Sequence, residues 1–154
     1  MITGRDESAG KALAAELTGN GTDASFHAVD LADPLSAADS VRATVANYGR
    51  IDCVVNSAGI TTRGTLLDTT VELFDAHIAI NLRAPFFVMQ AAVQDMRSRQ
   101  APGSIVNIIS FSAHGGHRDS RVDPHGITTV VDVLVSRSVT VRSTGRTHTQ
   151  CLAA

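Results

Sequence analysis

The sequence has few of the residues on which several classes of protein depend. Only two cysteines are present, Cys53 and Cys151, which cannot build the disulfide framework of a small secreted domain and favour a reducing, cytoplasmic location. The formal net charge is −2, so no bulk positive charge is available to attract nucleic acid. We therefore expect neither a disulfide scaffold nor a nucleic-acid-binding protein.

Long apolar runs are also missing. No stretch of about 20 apolar residues is present to cross a membrane, and the first six residues lack the basic stretch and apolar run of a signal peptide. The 154 residues are 44% hydrophobic and 18% charged, a composition typical of one globular domain with a real core. The sequence therefore predicts a cytoplasmic protein with no membrane partner.

Up to about Gly116, short β-branched runs alternate with amphipathic stretches, which is typical of an α/β fold with a parallel sheet. We predict strands at residues 1–3, 26–29, 51–55 and 104–109. We predict helices at 8–17, at 34–48 with Asp33 as cap, from a Thr69-x-x-Glu72 capping box to about Leu82, and onward from Pro85. The predicted inner faces are Ala9, Leu13 and Leu17 in the first helix, Leu35, Ala38, Val41, Val45 and Tyr48 in the second, and Phe86, Met89, Val93 and Met96 in the last.

The composition changes after Gly116. Alanine is absent from there until Ala153, and Val, Ile and Thr dominate residues 127–149, which favours strand over helix. This part carries net positive charge, whereas the first 116 residues are net negative. We therefore divide the chain into an α/β unit at 1–116 and a different tail at 117–154, which we expect to be poorly ordered.

The strongest local motif is Asn56-Ser57-Ala58-Gly59, directly after the strand at 51–55. A glycine-containing turn at the carboxyl end of a parallel strand lets the backbone approach a ligand closely, where doubly wound sheets bind nucleotides. The plainer interpretation is a tight turn from strand to loop.

Three weaker motifs accompany it. Asp30-Leu31 ends the strand at 26–29, Asn81 lies inside a predicted helix, and Ser110 ends the strand at 104–109. Asn has poor helix propensity, so its presence in a helix invites a specific reason. Taken singly, however, each has an ordinary interpretation: a turn former, a structural asparagine and a capping serine.

In their order and spacing, these four motifs resemble the short-chain dehydrogenase/reductase family, over residues 1 to about 116. The resemblance implies a partial Rossmann-like, doubly wound, three-layer sheet that binds NAD(P), and oxidation of a small-molecule alcohol or reduction of a ketone. One departure is Ser57, which stands where the family has a second asparagine. The resemblance also assigns roles: Asn81 to the proton relay, Ser110 to the substrate oxygen, and Asp30, Leu31, Asn56, Ala58 and Gly59 to the adenine and ribose of the cofactor.

The cofactor preference depends on the end of the strand at 1–3. An acid at the corresponding position of such sheets binds the ribose 2′-hydroxyl of NAD, while a nearby Arg suits the 2′-phosphate of NADP. Here Gly4 takes the acid's place and Arg5 follows, with a planar fork that fits phosphate oxygens. We therefore expect NADP rather than NAD. The alternative is an Arg that is only solvated beside Asp6.

Two family features are missing from this sequence. No T-G-x-x-x-G-x-G turn is present to place a pyrophosphate on a helix amino end, so cofactor binding should be weak. The only Tyr is Tyr48 and the only Lys is Lys11, so no Y-x-x-x-K pair follows Ser110 as acid/base and activator. We expect a catalytically incompetent fragment, from a gene product that starts one strand late and leaves its frame near Gly116.

Other functions remain as alternatives. The chain could be a non-catalytic binding or scaffold module that pairs with a complete homologue, or forms a homo-oligomer, through the helices around 70–100, where this family commonly dimerises. A second chain could also supply the missing elements. We expect no metal site, because His114, His117 and His125 have no Cys beside them. A serine hydrolase is not expected, because no G-x-S-x-G elbow is present.

The resemblance also makes a prediction about packing. The family's first strand lies at the centre of its sheet, between the strands that correspond to 1–3 and 51–55 here. Its loss should leave a slot two strand spacings wide, about 9.6 Å, lined by backbone groups that cost about 1–3 kcal/mol each if buried and unpaired. We therefore expect the flanking strands to close on each other, or a foreign strand to fill the slot, either residues 129–135 or a strand of another chain. If nothing fills it, the protein should be partly molten or should aggregate through the exposed edges.

Overall fold

The computed structural model describes residues 1–62, 64 and 67–109. Ser110, the change in composition near Gly116, the three tail histidines and the candidate strand at 129–135 lie outside the described residues. Within them, no helix is both long enough and apolar enough to cross a membrane.

Strands and helices alternate along the chain, which confirms the predicted α/β class. Every predicted strand and helix within the described residues is present, with its ends shifted by a few positions. The strands are β1 (Ile2–Gly4), β2 (Phe26–Ala28), β3 (Cys53–Asn56) and β4 (Ser104–Asn107). The helices are α1 (Glu7–Gly19), α2 (Ser36–Tyr48), α3 (Val71–His77) and α4 (Ala84–Ser98), with a π-helical segment (Ile78–Arg83) between the last two.

The start of α2 differs from the prediction. The helix begins at Ser36, two residues after the predicted first position, Pro34. Asp33 does not cap the helix itself but stabilises the turn just before it. Its carboxylate accepts hydrogen bonds from the Leu35 backbone amide at 3.0 Å and from the Ser36 hydroxyl at 2.9 Å. The turn that these bonds stabilise leads into the helix, which ends at Gly49 with a φ of 78° that glycine adopts without strain.

The start of α3 also differs by one residue. Thr70, not Thr69, caps the helix, and its hydroxyl accepts from the Leu73 amide at 3.2 Å. The pKa of Glu72 lies below its ordinary value because its own backbone amide and the Thr70 hydroxyl bind the carboxylate. The adjacent threonines offer two equivalent caps, and the pattern alone could not choose between them.

The strands form two separate parallel pairs. β1 pairs with β2, with Ile2 beside Phe26 and Gly4 beside Ala28. β3 pairs with β4 in the same way, from Cys53 through Asn56. Among the described residues β1 and β3 do not pair with each other, and a cleft of about 400 Å³ lies between them. The expectation that these flanking strands close on each other is therefore wrong for the described part of the chain.

The core lies where α2 and α4 pack together over β3 and β4. Its buried members are Val41, Ile51, Val54, Ala92 and Met96, with Val45 and Ile105 packed against them. The predicted inward positions Val41, Val45, Met89 and Met96 are confirmed as buried or packed against this core.

Four predicted core residues are exposed instead: Ala9, Leu13 by 44%, Leu35 by 71% and Phe86 by 43%. In α1 the buried residues are Gly10 and Ala14, because the ring of Phe26 lies where a side chain at Gly10 would be. Leu35 precedes the first turn of α2 and does not share its face. Phe86 lies next to the row of buried residues on α4, and its ring packs edge-on against the ring of Phe87 with 5.4 Å between the ring centroids.

Candidate functional site

The cleft between the two strand pairs brings several predicted site residues together. Leu31, in the loop after β2, Asn56, the last residue of β3, and Ala58, in the loop after β3, line it. These loops meet there because the carboxyl ends of parallel strands lie at the same edge. Arg5, Asp30 and Gly59 are exposed on the same loops or just after β1, but they are not among the residues that line the cleft.

The loop after β2 is held in a defined shape. Val29 is buried and anchors it, and the Asp30 carboxylate accepts from the Ala32 amide at 3.0 Å. On the other side, the Arg83 guanidinium donates to the Ala32 carbonyl at 2.7 Å, across 51 residues of sequence. Leu31, which precedes Ala32, is half-buried and lines the cleft. The loop therefore presents an apolar side chain to the cleft, while the carboxylate of Asp30 is exposed outside the lining.

The loop after β3 is tied to the end of β4. The side-chain amide of Asn56 donates a hydrogen bond of 2.7 Å to the side-chain oxygen of Asn107. This bond joins the carboxyl ends of β3 and β4. Ser57, Ala58 and Gly59 beyond it are exposed. A Cβ at Gly59 would meet only the Asn81 side-chain oxygen at an ordinary 3.5 Å. The described protein therefore imposes no steric need for glycine there.

Asn81 is the residue that fixes this loop. Its side-chain oxygen accepts from the Ile60 amide at 2.9 Å, and its amide donates to the Ile60 carbonyl at 3.0 Å. The same amide lies 3.2 Å from Nδ1 of His77. Both polar groups of one backbone residue are thus bound by one side chain, so that Asn81 acts on the loop that lines the cleft.

His77 extends this network and was missed by the sequence reasoning. It is fully buried, and its Nε2 lies 2.8 Å from the Thr62 carbonyl. A carbonyl only accepts, so Nε2 carries the hydrogen and Nδ1 accepts from Asn81. The sequence signal that could have found it is its spacing from Asn81, because residues four apart on a helix are neighbours.

The π-helical segment places these side chains. Its geometry shows in the bond from the Ala84 amide to the Ala79 carbonyl, five residues back. Such single turns are common at functional positions of longer helices. Here the segment contains both Asn81, which holds the loop after β3, and Arg83, which holds the loop after β2.

The cleft itself carries little charge. None of the described side chains that line it is Asp, Glu, Lys, Arg or His. The charged residues that follow β1 lie outside the lining: Arg5 is exposed, and its neighbour Asp6 caps α1 by accepting from the Ala9 amide at 2.9 Å. The pKa of Asp33 lies below its ordinary value because the Leu35 amide and Ser36 hydroxyl bind it, with a smaller effect from Arg83. This arrangement suits a flat, largely apolar group inside and a charged group outside.

Comparison with known protein families gives a match over most of the chain. The family model described as short chain dehydrogenase matches residues 1–120. L-rhamnose 1-dehydrogenase (NAD(P)(+)) from a Sphingomonas species is 36% identical over 96 residues, which cover 62% of this chain and 38% of that protein. Trans-4-hydroxycyclohexanecarboxylate dehydrogenase from Sinomonas cyclohexanicum is 39% identical over 119 residues, covering 73% of this chain and 45% of that protein. The chain thus spans about two fifths of the length of these relatives.

Solved structures show the same similarity. A gluconate 5-dehydrogenase from Burkholderia cenocepacia, in complex with NADP and tartrate, superposes with a TM-score of 0.77 at 28% identity, over 87% of this chain and 51% of that one. A metagenomic short-chain oxidoreductase in complex with NADP gives 0.77 at 28% identity, over 88% and 62%. The two strand pairs and their helices therefore form part of a Rossmann-like sheet of this kind, as predicted.

Proposed function

This chain belongs to the short-chain dehydrogenase family, and on that premise we propose that it binds the adenosine half of NADP at the rim of the cleft. The observation that carries the proposal is that Leu31, Asn56 and Ala58 line one cleft at the carboxyl ends of β2 and β3. In this proposal, residues 1–116 are the dinucleotide-binding unit and 117–154 a tail outside it.

The described residues fit an adenosine group. Leu31 offers apolar surface to an adenine ring, and the Asp30 carboxylate and the exposed Asn56–Gly59 turn offer acceptors and backbone amides to ribose. Arg5, directly after β1, is exposed, and its neighbour Asp6 is engaged as a helix cap, so that in this proposal Arg5 binds the 2′-phosphate. When bound, the cofactor would supply a hydride to a ketone in its reduced form, NADPH, or receive one from an alcohol in its oxidised form, NADP⁺. Because the sequence contains no glycine-rich pyrophosphate turn, we expect affinity weaker than micromolar.

For the chain alone we propose no catalysis. Ser110 would bind the substrate oxygen and Asn81 would hold the proton-relay loop, but a general acid is needed as well. Tyr48, the only tyrosine, shares a hydrogen bond of 2.8 Å with the hydroxyl of Ser25, just before β2, and Lys11, the only lysine, pairs with Glu7 at 2.6 Å. We expect no NADPH oxidation with any ketone. Turnover that disappears in a Ser110→Ala variant would contradict this.

A second candidate function is pairing with another protein through α3 and α4. Exposed apolar side chains on these helices favour it: Val71, Phe74 and Phe86 are each at least 40% exposed. Such a surface suits a homo-oligomer or a complex with a complete homologue. Sedimentation equilibrium distinguishes these from a monomer. A monomeric chain that fails to bind a complete relative would exclude this function.

The nucleotide proposal is tested with two matched ligands, adenosine 2′,5′-bisphosphate and adenosine 5′-monophosphate. Chemical-shift titration should move the Leu31 and Ala58 amides with both ligands. Arg5→Ala should weaken only the bisphosphate, by about tenfold, because one charge-assisted hydrogen bond to phosphate is lost. The control Arg97→Ala, on the exposed end of α4, should change neither affinity. Equal weakening by both variants, or unmoved Leu31 and Ala58 amides, would exclude this site.

A further inference from the structure

We propose that Arg83 is a positioning residue, which holds the loop after β2 in the shape that receives an adenine ring before any nucleotide binds. The proposal rests on the proposed function, since it concerns the loop whose Leu31 lines the cleft. It follows from three observations: where the guanidinium of Arg83 binds, which of its donors is unpaired, and how it differs from a second arginine of the same chain.

The first observation is that Arg83 completes the binding of Ala32. Within the loop, the Asp30 carboxylate accepts from the Ala32 amide at 3.0 Å, and the Asp30 carbonyl accepts from the Asp33 amide at 3.1 Å. From the π-helical segment, the Arg83 guanidinium donates to the Ala32 carbonyl at 2.7 Å. Both backbone groups of Ala32 are therefore bound, and Leu31 next to it is half-buried and lines the cleft.

The second observation is an unpaired donor. Nε and Nη2 of an arginine lie along one edge of the planar guanidinium and can bind two acceptors side by side. In Arg83, Nη2 binds the Ala32 carbonyl, but Nε is buried and has no hydrogen-bond partner among the described residues. A buried donor without a partner costs free energy, so Arg83 stabilises the fold less than a fully paired arginine would. Local costs of this kind are expected where a residue serves binding rather than stability.

The third observation is the contrast with Arg99, which makes the same kind of long-range contact at the amino end of β3. Its Nη2 donates to the Ile51 carbonyl at 2.5 Å, across 48 residues of sequence. Its Nε is paired as well, with the Asp95 carboxylate at 2.9 Å, and Asp95 accepts from the Ile51 amide at 3.2 Å. The proposed adenine position lies at the carboxyl ends of the strands, so Arg99 provides a matched control for Arg83.

The advantage of a loop that is already held is that no ordering cost arises when the ligand binds. The influence of Arg83 also reaches the far end of the loop. The pKa of Asp33 is lowered mainly by the Leu35 amide and the Ser36 hydroxyl, and the positive charge of Arg83 lowers it further. Arg83 therefore acts on the loop at two points, the Ala32 carbonyl and the Asp33 carboxylate.

The test compares Arg83→Met with Arg99→Met in the full chain, since methionine keeps an unbranched stem and removes the guanidinium. Arg83→Met should weaken the binding of adenosine 5′-monophosphate by about fivefold to tenfold, because the loop is then ordered only on binding, and should leave the urea midpoint unchanged. Arg99→Met should lower the midpoint, because Asp95 and Ile51 lose a charged partner, and leave the affinity unchanged. Unchanged affinity, a lower midpoint or loss of folding in Arg83→Met would overturn the proposal.

Adenosine, which has no phosphate, distinguishes positioning of the loop from direct binding of charge. If Arg83 acts through the loop, Arg83→Met weakens adenosine and the monophosphate by the same factor. A loss confined to the monophosphate would mean that Arg83 binds the phosphate itself, and would refute the positioning role.

The loop can also be measured without nucleotide. In Arg83→Met the backbone ¹⁵N order parameters of Leu31 and Ala32 should fall, and the pKa of Asp33 should rise towards its ordinary value. Order parameters equal to those of the natural chain would contradict the proposal.

Failure of the proposed function gives a different result. In that case the Leu31 and Ala58 amides of the natural chain do not move with either ligand, and the nucleotide site and the role of Arg83 are both refuted. If those amides do move, and Arg83→Met binds as tightly as the natural chain, the nucleotide site stands and only the role of Arg83 is refuted.

Discussion

Replacement of Asn81 by alanine should destabilise the chain more than any ordinary polar substitution on a helix. The change removes at least three hydrogen bonds, two to Ile60 and one to His77. At about 0.5–1.5 kcal/mol each, their loss costs about 1.5–4.5 kcal/mol, from which the better helix propensity of alanine recovers about 0.5 kcal/mol. His77 is fully buried and loses its donor, which adds to the cost. We expect a net loss of about 2–4 kcal/mol from a total stability of ~5–15 kcal/mol.

Urea denaturation measures this loss as a fall in the midpoint with an unchanged slope. The matched control is Asn47→Ala, on the exposed side of α2, where the side chain makes one bond of 3.2 Å to the Ser25 hydroxyl. The control should cost less than about 1 kcal/mol, because a single exposed hydrogen bond is replaced by water. The difference between the variants isolates the bonds to the loop after β3.

The network is tested by adding His77→Leu alone and together with Asn81→Ala. If the two side chains act together, the double variant should cost less than the sum of the single ones, by about 0.5–3 kcal/mol. The reasoning fails if Asn81→Ala costs no more than Asn47→Ala, or if the two effects simply add.

Two further predictions concern α1 and the turn before α2. Gly10→Ala should destabilise the chain by about 1–3 kcal/mol despite the better helix propensity of alanine, because the new methyl group meets the Phe26 ring. The control Gly19→Ala has open space around it and should not destabilise the chain. Equal urea midpoints for the two variants would contradict this reasoning. The lowered pKa of Asp33 means that the stability it adds is present above its ordinary pKa of 3.8 and is lost as the pH falls through the lowered value. Asp33→Asn should therefore flatten the fall of the urea midpoint below about pH 4, and an unchanged profile would show that Asp33 does not contribute.

The alternation of strands and helices could be predicted because it depends on local patterns that the fold leaves unchanged. Short apolar or β-branched runs between turn residues marked the four strands of the described residues, and the apolar spacing in α2 and α4 placed Val41, Met89 and Met96 inside. The inner face of α1 could not be found this way. It is set by a ring from β2 that packs against a glycine, and a glycine carries no hydrophobic signal.

The site could be predicted in part for a similar reason. Leu31, Asn56 and Ala58 lie at or shortly after the carboxyl ends of β2 and β3, and parallel strands bring those ends together whatever the details of packing. The contacts of Asn81 depend on a π-helical turn, which no pattern in the sequence indicates. His77 was missed because a lone histidine on a helix predicts nothing until the loop that it binds is in place.

The persistence of the cleft follows from where its backbone groups lie. We expected the cleft to close because each backbone group that is buried and unpaired costs about 1–3 kcal/mol. However, the residues that face it, Thr3, Cys53 and Val55, are all exposed, so their groups can bond to water and most of that cost does not arise. The two strand pairs are joined elsewhere, by the packing of α2 on α4 and by the Arg83 bond to Ala32. Each strand pair satisfies its own ladder of hydrogen bonds, so that neither pair depends on the other for its backbone partners.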